Sequence, residues 1–133
     1  MKKILTAAFC AAMASPALAQ GWPTGYEGVM VQGFYWDSYS DSQWKNLEKQ
    51  APELGSYFSL LWVPQSGKCL EEHNVMGYTP YYYFDQNSSF GSEAELRSMI
   101  RAMRQNGVGV LADVVINHHN TSGWFSFPKE EYR

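Results

Sequence analysis

The sequence has little positive charge. Of its 133 residues only 10 are lysine or arginine, against 13 acids, for a formal net charge of −3. A protein that grips phosphate backbones carries a basic face, so nucleic acid is excluded as the main partner. No apolar run reaches the roughly 20 residues that a membrane-spanning helix needs. Cysteine is scarce: Cys10 and Cys69 are too few for a disulfide scaffold. The hydrophobic fraction, 45%, is that of an ordinary globular chain, so intrinsic disorder is excluded too.

The start of the chain has the three-part pattern of an export signal. Lys2 and Lys3 are basic, Ile4 to Ala14 is mostly apolar, and Ala17-Leu18-Ala19 supplies small residues before Gln20. Residues 1–19 are therefore expected to be a signal peptide, which places the remainder, 20–133, outside the cytoplasm, secreted or periplasmic. After cleavage no membrane association is expected. Cys10 follows the bulky Phe9, unlike a lipid-modified cysteine, which wants a small residue before it. Cys69 has no internal partner once 1–19 is removed, and fits a half-buried small apolar residue.

Beyond the signal the chain alternates strand and helix. Val29 to Trp36 (VMVQGFYW) is β-branched and aromatic and predicts a strand. Ser40 and Gln43 have the spacing of a helix capping box, and Trp44, Leu47, Ala51 and Leu54 form one apolar stripe. Pro52 is expected to kink or end that helix, and Gly55 to stop it. Phe58 to Val63 predicts a second strand, closed by Pro64. Gln65 to Gly91 shows no periodicity, and a loop beyond roughly 15 residues is usually functional or conceals structure. A second helix is bounded by a Ser92–Glu95 capping box and an Asn106-Gly107 left-handed cap, with Leu96, Met99, Ile100 and Met103 on one face. Val108 to Ile116 is then a nearly continuous apolar strand.

Strands apolar on both faces that alternate with helices indicate a parallel sheet covered by helices. An open doubly wound sheet and part of an eight-stranded barrel both fit. The open sheet would carry a glycine-rich phosphate turn after its first strand. Here that turn is Asp37-Ser38-Tyr39-Ser40, which favours the barrel. In a barrel the strand-to-helix loops gather on the face that holds the active site. These loops, 37–40, 65–91 and 117–133, hold Tyr39, Tyr78, Tyr81, Tyr82, Tyr83, Trp124 and Phe125 among other aromatics. Flat rings with polar edges suit sugar faces, although for any one of them packing on the rim is the commoner role.

Asp113 lies inside an apolar strand, where a carboxylate is costly unless a cation or several donors meet it; a buried ion pair is the expected arrangement. Alternation places Leu111, Asp113, Val115 and Asn117 on one face. His118 and His119 point opposite ways as strand neighbours, and His73 lies at no helpful spacing, so zinc is disfavoured. The Asn117 side-chain oxygen suits a hard cation such as calcium, but is a single donor.

Asp113-Val114-Val115-Ile116-Asn117-His118 (DVVINH) resembles the first signature region of the α-amylase superfamily, glycoside hydrolase family 13. Three further stretches agree in order. Gln32 to Asp37 (QGFYWD) is similar to the first barrel strand of α-amylases, and Trp62-Val63-Pro64 to the end of the second. Gly77-Tyr78, Phe84-Asp85, Phe90-Gly91 and Glu95-Leu96 resemble the approach to the second helix. The resemblance spans residues 28 to 122 and favours true α-amylases over the oligo-1,6-glucosidase branch. It implies an α/β fold: the N-terminal segment, about three βα units, of a (β/α)8 TIM barrel. It also implies roles. Asn117 would be a ligand of a structural calcium ion. His118 would hydrogen-bond, and Tyr78 stack on, the sugar in the subsite before the scissile bond. Asp113 would be held by an arginine of the fourth strand. Gln65 departs from the family, standing where a second proline is common, and His119 is not a fixed feature.

Retaining glycosidases need a carboxylate nucleophile and a carboxylic acid about 5–5.5 Å apart. The resemblance puts these on the fourth and fifth strands, with a third carboxylate after the seventh. No acid up to Arg133 matches those motifs, so no catalytic residue is assigned. Glu71-Glu72 reads as a solvated acidic patch. The expected function is thus a fragment of a secreted, calcium-dependent α-amylase acting on internal α-1,4 bonds of starch-like glucans with retention. Alone, the chain is expected to be inactive and, with unpaired strand edges, poorly soluble. The alternatives are an exported glucan-binding module and a segment that complements a separately encoded remainder.

Overall fold

The computed structural model describes residues 27–71, 73–82 and 84–120. The signal-peptide segment 1–19, Glu72, Tyr83 and the aromatics Trp124 and Phe125 lie outside them. Five strands and two helices follow in the order β1 (Met30–Gln32), α1 (Trp44–Leu54), β2 (Leu60–Val63), β3 (Lys68–Cys69), β4 (Pro80–Tyr82), α2 (Glu93–Gln105) and β5 (Gly109–Ala112). Strands β1, β2 and β5 form one parallel sheet in that order. Its register places Val31, Leu61 and Val110 in one row and Gln32, Trp62 and Leu111 in the next. Helices α1 and α2 pack on each other, and α2 on β5. Among the described residues no helix is long and apolar enough to cross a membrane.

The core lies between the helices and one face of this sheet. Trp44, Leu47 and Ala51 of α1 meet Leu96, Met99 and Met103 of α2 over Leu61, Val63 and Val108. Phe90 seals one end, its ring 5.4 Å from that of Trp44. Met99 and Met103 are fully buried, so truncating either to alanine costs about 2–5 kcal/mol. Among the described residues no helix covers the opposite face. Met30 is 44% exposed there, and Leu60, Trp62 and Leu111 are half-buried. The apolar character of both faces is therefore real, but only one of them is packed by helices here.

The strands are shorter than expected, because the chain leaves the sheet where side chains begin to serve the loops. After Gln32 only Gly33 continues the ladder, donating to the Trp62 carbonyl at 2.8 Å. A Cβ on Gly33 would stand 2.7 Å from Leu61 Cδ1 and 3.3 Å from the Trp62 carbonyl oxygen, so a larger residue here would push the Leu61 side chain aside. Residues 35–42 then form a turn around Ser38, whose hydroxyl accepts from the Tyr35 amide and from the Ser42 hydroxyl. That turn delays α1. Its N-cap is Gln43, without a side-chain cap bond, rather than Ser40; the Trp44 amide is satisfied by the Phe90 carbonyl at 2.8 Å instead.

Helix α1 also runs through Pro52 to Leu54. A proline this close to the C-terminus withdraws one hydrogen bond from an already fraying turn. Gly55 is right-handed, with φ −63°, not a left-handed stop. It is small because a Cβ would meet the Asn106 carbonyl oxygen at 2.4 Å, where the ends of the two helices touch. Helix α2 matches expectation. Ser92 and Glu95 form a reciprocal capping box, and Gly107, at φ +80°, is left-handed just past the Asn106 cap.

The segment 65–91 is not without structure. Strands β3 and β4 pair antiparallel across it, and Ser88 bridges Gly91. Pairs of two or three residues carry no period that a sequence could display.

Candidate functional site

The site gathers at the C-terminal ends of β1, β2 and β5, where a parallel barrel presents its loops. Beyond β1 the chain delivers Trp36, 71% exposed, and Asp37, whose φ of +65° is left-handed. Beyond β5 it delivers Asp113, Asn117 and His118. Tyr78 comes from the 65–91 segment and touches three of these, Trp36, Asp113 and His118. Its ring is parallel to that of Trp36 within 5°, with centroids 6.1 Å apart. Its hydroxyl donates to Asp113 Oδ2 at 3.1 Å. Its carbonyl accepts from His118 Nε2 at 2.7 Å. A carbonyl only accepts, so His118 carries its proton on Nε2 in this contact.

Tyr78 and His118 thus meet, with Asp113 as the third member. Asn117, next to His118 and beyond the end of β5, is exposed. A cleft of about 230 Å³ opens beside Tyr78, walled by Trp36, Asp37, Asn74, Gly77 and Thr79. Burial and the Asp113 carboxylate, in that order, hold the Tyr78 phenol above its ordinary value, because both penalise a phenolate.

Among the described residues Asp113 accepts from the Tyr78 hydroxyl; the fourth-strand arginine that the resemblance implies for it lies outside the described residues. His119 was not foreseen as a site residue. Its Nε2 donates to the Tyr81 carbonyl at 2.9 Å, and its ring lies 5.8 Å from the Tyr81 ring, tilted by 23°. The Asn120 amide adds a bond to the Pro80 carbonyl at 2.8 Å. Residues 118–120 therefore run along 78–81 as a three-bond seam. No sequence pattern marks it, because two of its three bonds use ring nitrogens and all three accept at the backbone.

Calcium takes six to eight oxygen ligands. Among the described residues no group of three or more His, Cys, Asp or Glu could hold a metal ion. Asn117 offers one oxygen, and the described residues do not complete a calcium site around it.

A parallel β/α segment whose loops gather at the C-terminal ends of its strands fits a piece of a (β/α)8 barrel. Comparison with known proteins fixes the family. The chain is 36% identical to probable α-amylase 2 of Arabidopsis thaliana over 91 residues, 68% of this chain and 21% of that protein. It is 31% identical to glucan 1,4-α-maltotetraohydrolase of Stutzerimonas stutzeri across 90% of this chain and 26% of that protein. The structure of wild-type α-amylase I of Eisenia fetida has the same fold, with a TM-score of 0.60 and 24% identity, covering 72% of this chain and 19% of that one. A variant of that Eisenia fetida enzyme in complex with maltohexaose is equally similar. No family model matches the chain. The chain belongs to the α-amylase family of glycoside hydrolases, and spans about a fifth to a quarter of the length of these relatives.

Proposed function

We propose that this chain forms one wall of a binding site for α-1,4-linked glucans, in an enzyme that cleaves internal bonds of starch-like polymers with retention. The observation that carries this reading is the triple contact at Tyr78: ring on Trp36, hydroxyl on Asp113, carbonyl on His118. It turns a loop aromatic and a strand-end imidazole into one rigid surface. Such a surface offers a flat apolar face and polar edges, which is what the face and hydroxyls of a glucose ring present. Tyr78 is the stacking residue and His118 the hydroxyl partner; Asp113 orients Tyr78.

Two carboxylates beside this wall are engaged: Asp113 accepts from Tyr78, and Glu71 accepts from the Thr79 hydroxyl at 3.3 Å. The nucleophile and the acid are assigned to the later barrel strands of the family, not to these residues. Asn117 is proposed as one ligand of a structural calcium, and no step of the reading passes through the metal. Export through the 1–19 leader is proposed on its three-part pattern.

The test is titration of the chain with maltohexaose, with tryptophan fluorescence as the readout. Tyr78→Ala is expected to weaken binding roughly 3- to 10-fold, the worth of an aromatic stacking contact. His118→Ala should weaken it by a similar factor. Unchanged affinity in both variants would refute the reading. Starch hydrolysis by the chain itself, lost on His118→Ala, would refute the assignment of the acids to later strands.

A further inference from the structure

Gln65 follows Pro64 at the end of β2, and only 6% of it is exposed. Its side chain makes two hydrogen bonds of opposite sense. Oε1 accepts from the Gly67 amide, and Nε2 donates to the Gly77 carbonyl at 2.9 Å. Because the Gly67 amide can only donate and the Gly77 carbonyl can only accept, the orientation of the Gln65 side chain is fixed by its partners. The backbone closes tightly around it. A Cβ on Gly67 would lie 3.0 Å from Gln65 Oε1, and one on Gly77 would lie 2.7 Å from the Gln65 carbonyl oxygen. Gly77 also has φ +94°, a conformation open to glycine at no steric cost. Residue 78, next in the chain, is the tyrosine of the wall.

We propose that Gln65 is a positioning residue for the glucan wall: its buried amide ties the rigid end of β2 to the Gly77 carbonyl, and thereby sets where the Tyr78 ring stands. The inference rests on the reading of Tyr78 as the sugar-stacking residue. The other ties along the 65–91 segment lie nearer solvent. Ser66 Oγ meets Gln86 Oε1 at 2.5 Å, Lys68 meets Asp85 at 3.9 Å, and the Val75 amide meets Ser89 Oγ at 3.2 Å. None of these adjoins Tyr78, and the Thr79–Glu71 contact at 3.3 Å, which does, is exposed. The Gln65 bond adjoins Tyr78 and is buried, so water does not substitute for it when it is withdrawn. Tyr78 then has its carbonyl and hydroxyl held from the β5 side, by His118 and Asp113, and its preceding residue held from the β2 side. Releasing the second anchor frees the ring to turn away from Trp36.

The experiment uses the chain labelled with tyrosine carrying carbon-13 at Cζ, the Tyr78 resonance being assigned by its loss in Tyr78→Phe. Gln65→Met keeps the volume and withdraws both bonds. Gln65→Glu keeps an acceptor for Gly67 but places an oxygen against the Gly77 carbonyl. For both variants, at a temperature where far-ultraviolet circular dichroism shows the parent secondary structure, two changes are expected. The Tyr78 Cζ resonance moves toward that of tyrosine in water, and the Kd for maltohexaose rises about tenfold, the effect of one lost ordering hydrogen bond. A lowered Tm with the resonance unmoved and the Kd within twofold of the parent would show a merely structural glutamine and overturn the proposal. If Gln65→Met does not fold, Gln65→Glu is read in the same way. Tyr78→Ala separates the two ideas: parent-like affinity in that variant defeats the glucan reading, whereas the resonance alone still decides whether Gln65 holds Tyr78.

Discussion

The bond between Tyr78 and Asp113 is the contact on which the wall's geometry can be measured. It joins a phenol to a carboxylate at 3.1 Å, both half-buried. Hydrogen bonds to charged groups are worth about 1.5–3 kcal/mol, and partial exposure places this one near the lower end. Tyr78→Phe removes the donor and leaves the carboxylate desolvated, a loss of about 1.5 kcal/mol. Asp113→Asn keeps an acceptor and weakens it, a loss of about 0.5 kcal/mol. In the double variant the penalty of the orphaned carboxylate disappears, so the coupling across the pair should be about 1 kcal/mol. Urea unfolding of the four chains measures it by linear extrapolation. The pH arm has a definite sign. The Tyr78 phenol titrates above its ordinary value of 10.0 in the folded chain. A raised folded value means stability fully present below the unfolded value and lost as pH rises through the folded one. The parent should therefore lose stability above about pH 10 relative to Tyr78→Phe. A coupling below about 0.3 kcal/mol, within ordinary additivity error, would refute the contact and with it the placement of Asp113 under Tyr78.

Other outcomes follow from the same structure. Ser92→Ala removes the hydroxyl that accepts from the Glu95 amide in the capping box, and should cost about 1 kcal/mol in the same unfolding assay. Glu95 is held below the ordinary carboxylate value by its bond to Lys45 and then by the Ser92 amide. A depressed folded value means stability present above the unfolded value and lost as pH falls through the folded one. Glu95→Gln should therefore flatten the loss of stability between about pH 5 and pH 3, read as Tm against pH. His119→Ala should speed amide hydrogen exchange at Asn120, whose bond to Pro80 lies in the same seam.

The sheet and both helices were legible because their residues repeat at 2 or 3.6 positions and their caps are chemical, Ser92 with Glu95 being the clearest. The start of α1 was not legible. Ser40 and Gln43 have capping-box spacing, but the Ser38-centred turn and the Phe90 carbonyl capture that segment first. Tyr78 and His118 were found through motif resemblance, and the structure adds what no motif states, that they touch through a backbone carbonyl. Gln65 was visible only as a departure from the family pattern. Its function depends on Gly77, twelve residues away, and a contact of that kind leaves no local signature.

The wall is held by loop-to-strand ties, and this separates it from the fold. Gln65 fastens Gly77 to the end of β2, while Asp113 and His118 fasten Tyr78 to the end of β5. The core that holds the sheet to its helices lies on the other side, around Met99, Met103 and Leu61. A change in that core costs about 2–5 kcal/mol, whereas one lost tie costs about 1. The two kinds of variant should therefore part in experiment. Met99→Ala should lower Tm steeply and leave the affinity of the folded fraction near that of the parent. Gln65→Met and Tyr78→Phe should do the reverse, with small losses in Tm and larger ones in affinity. If all three moved stability and affinity in one fixed proportion, the wall would have no order of its own, and the strand-end ties would be reporting only on the core beneath them.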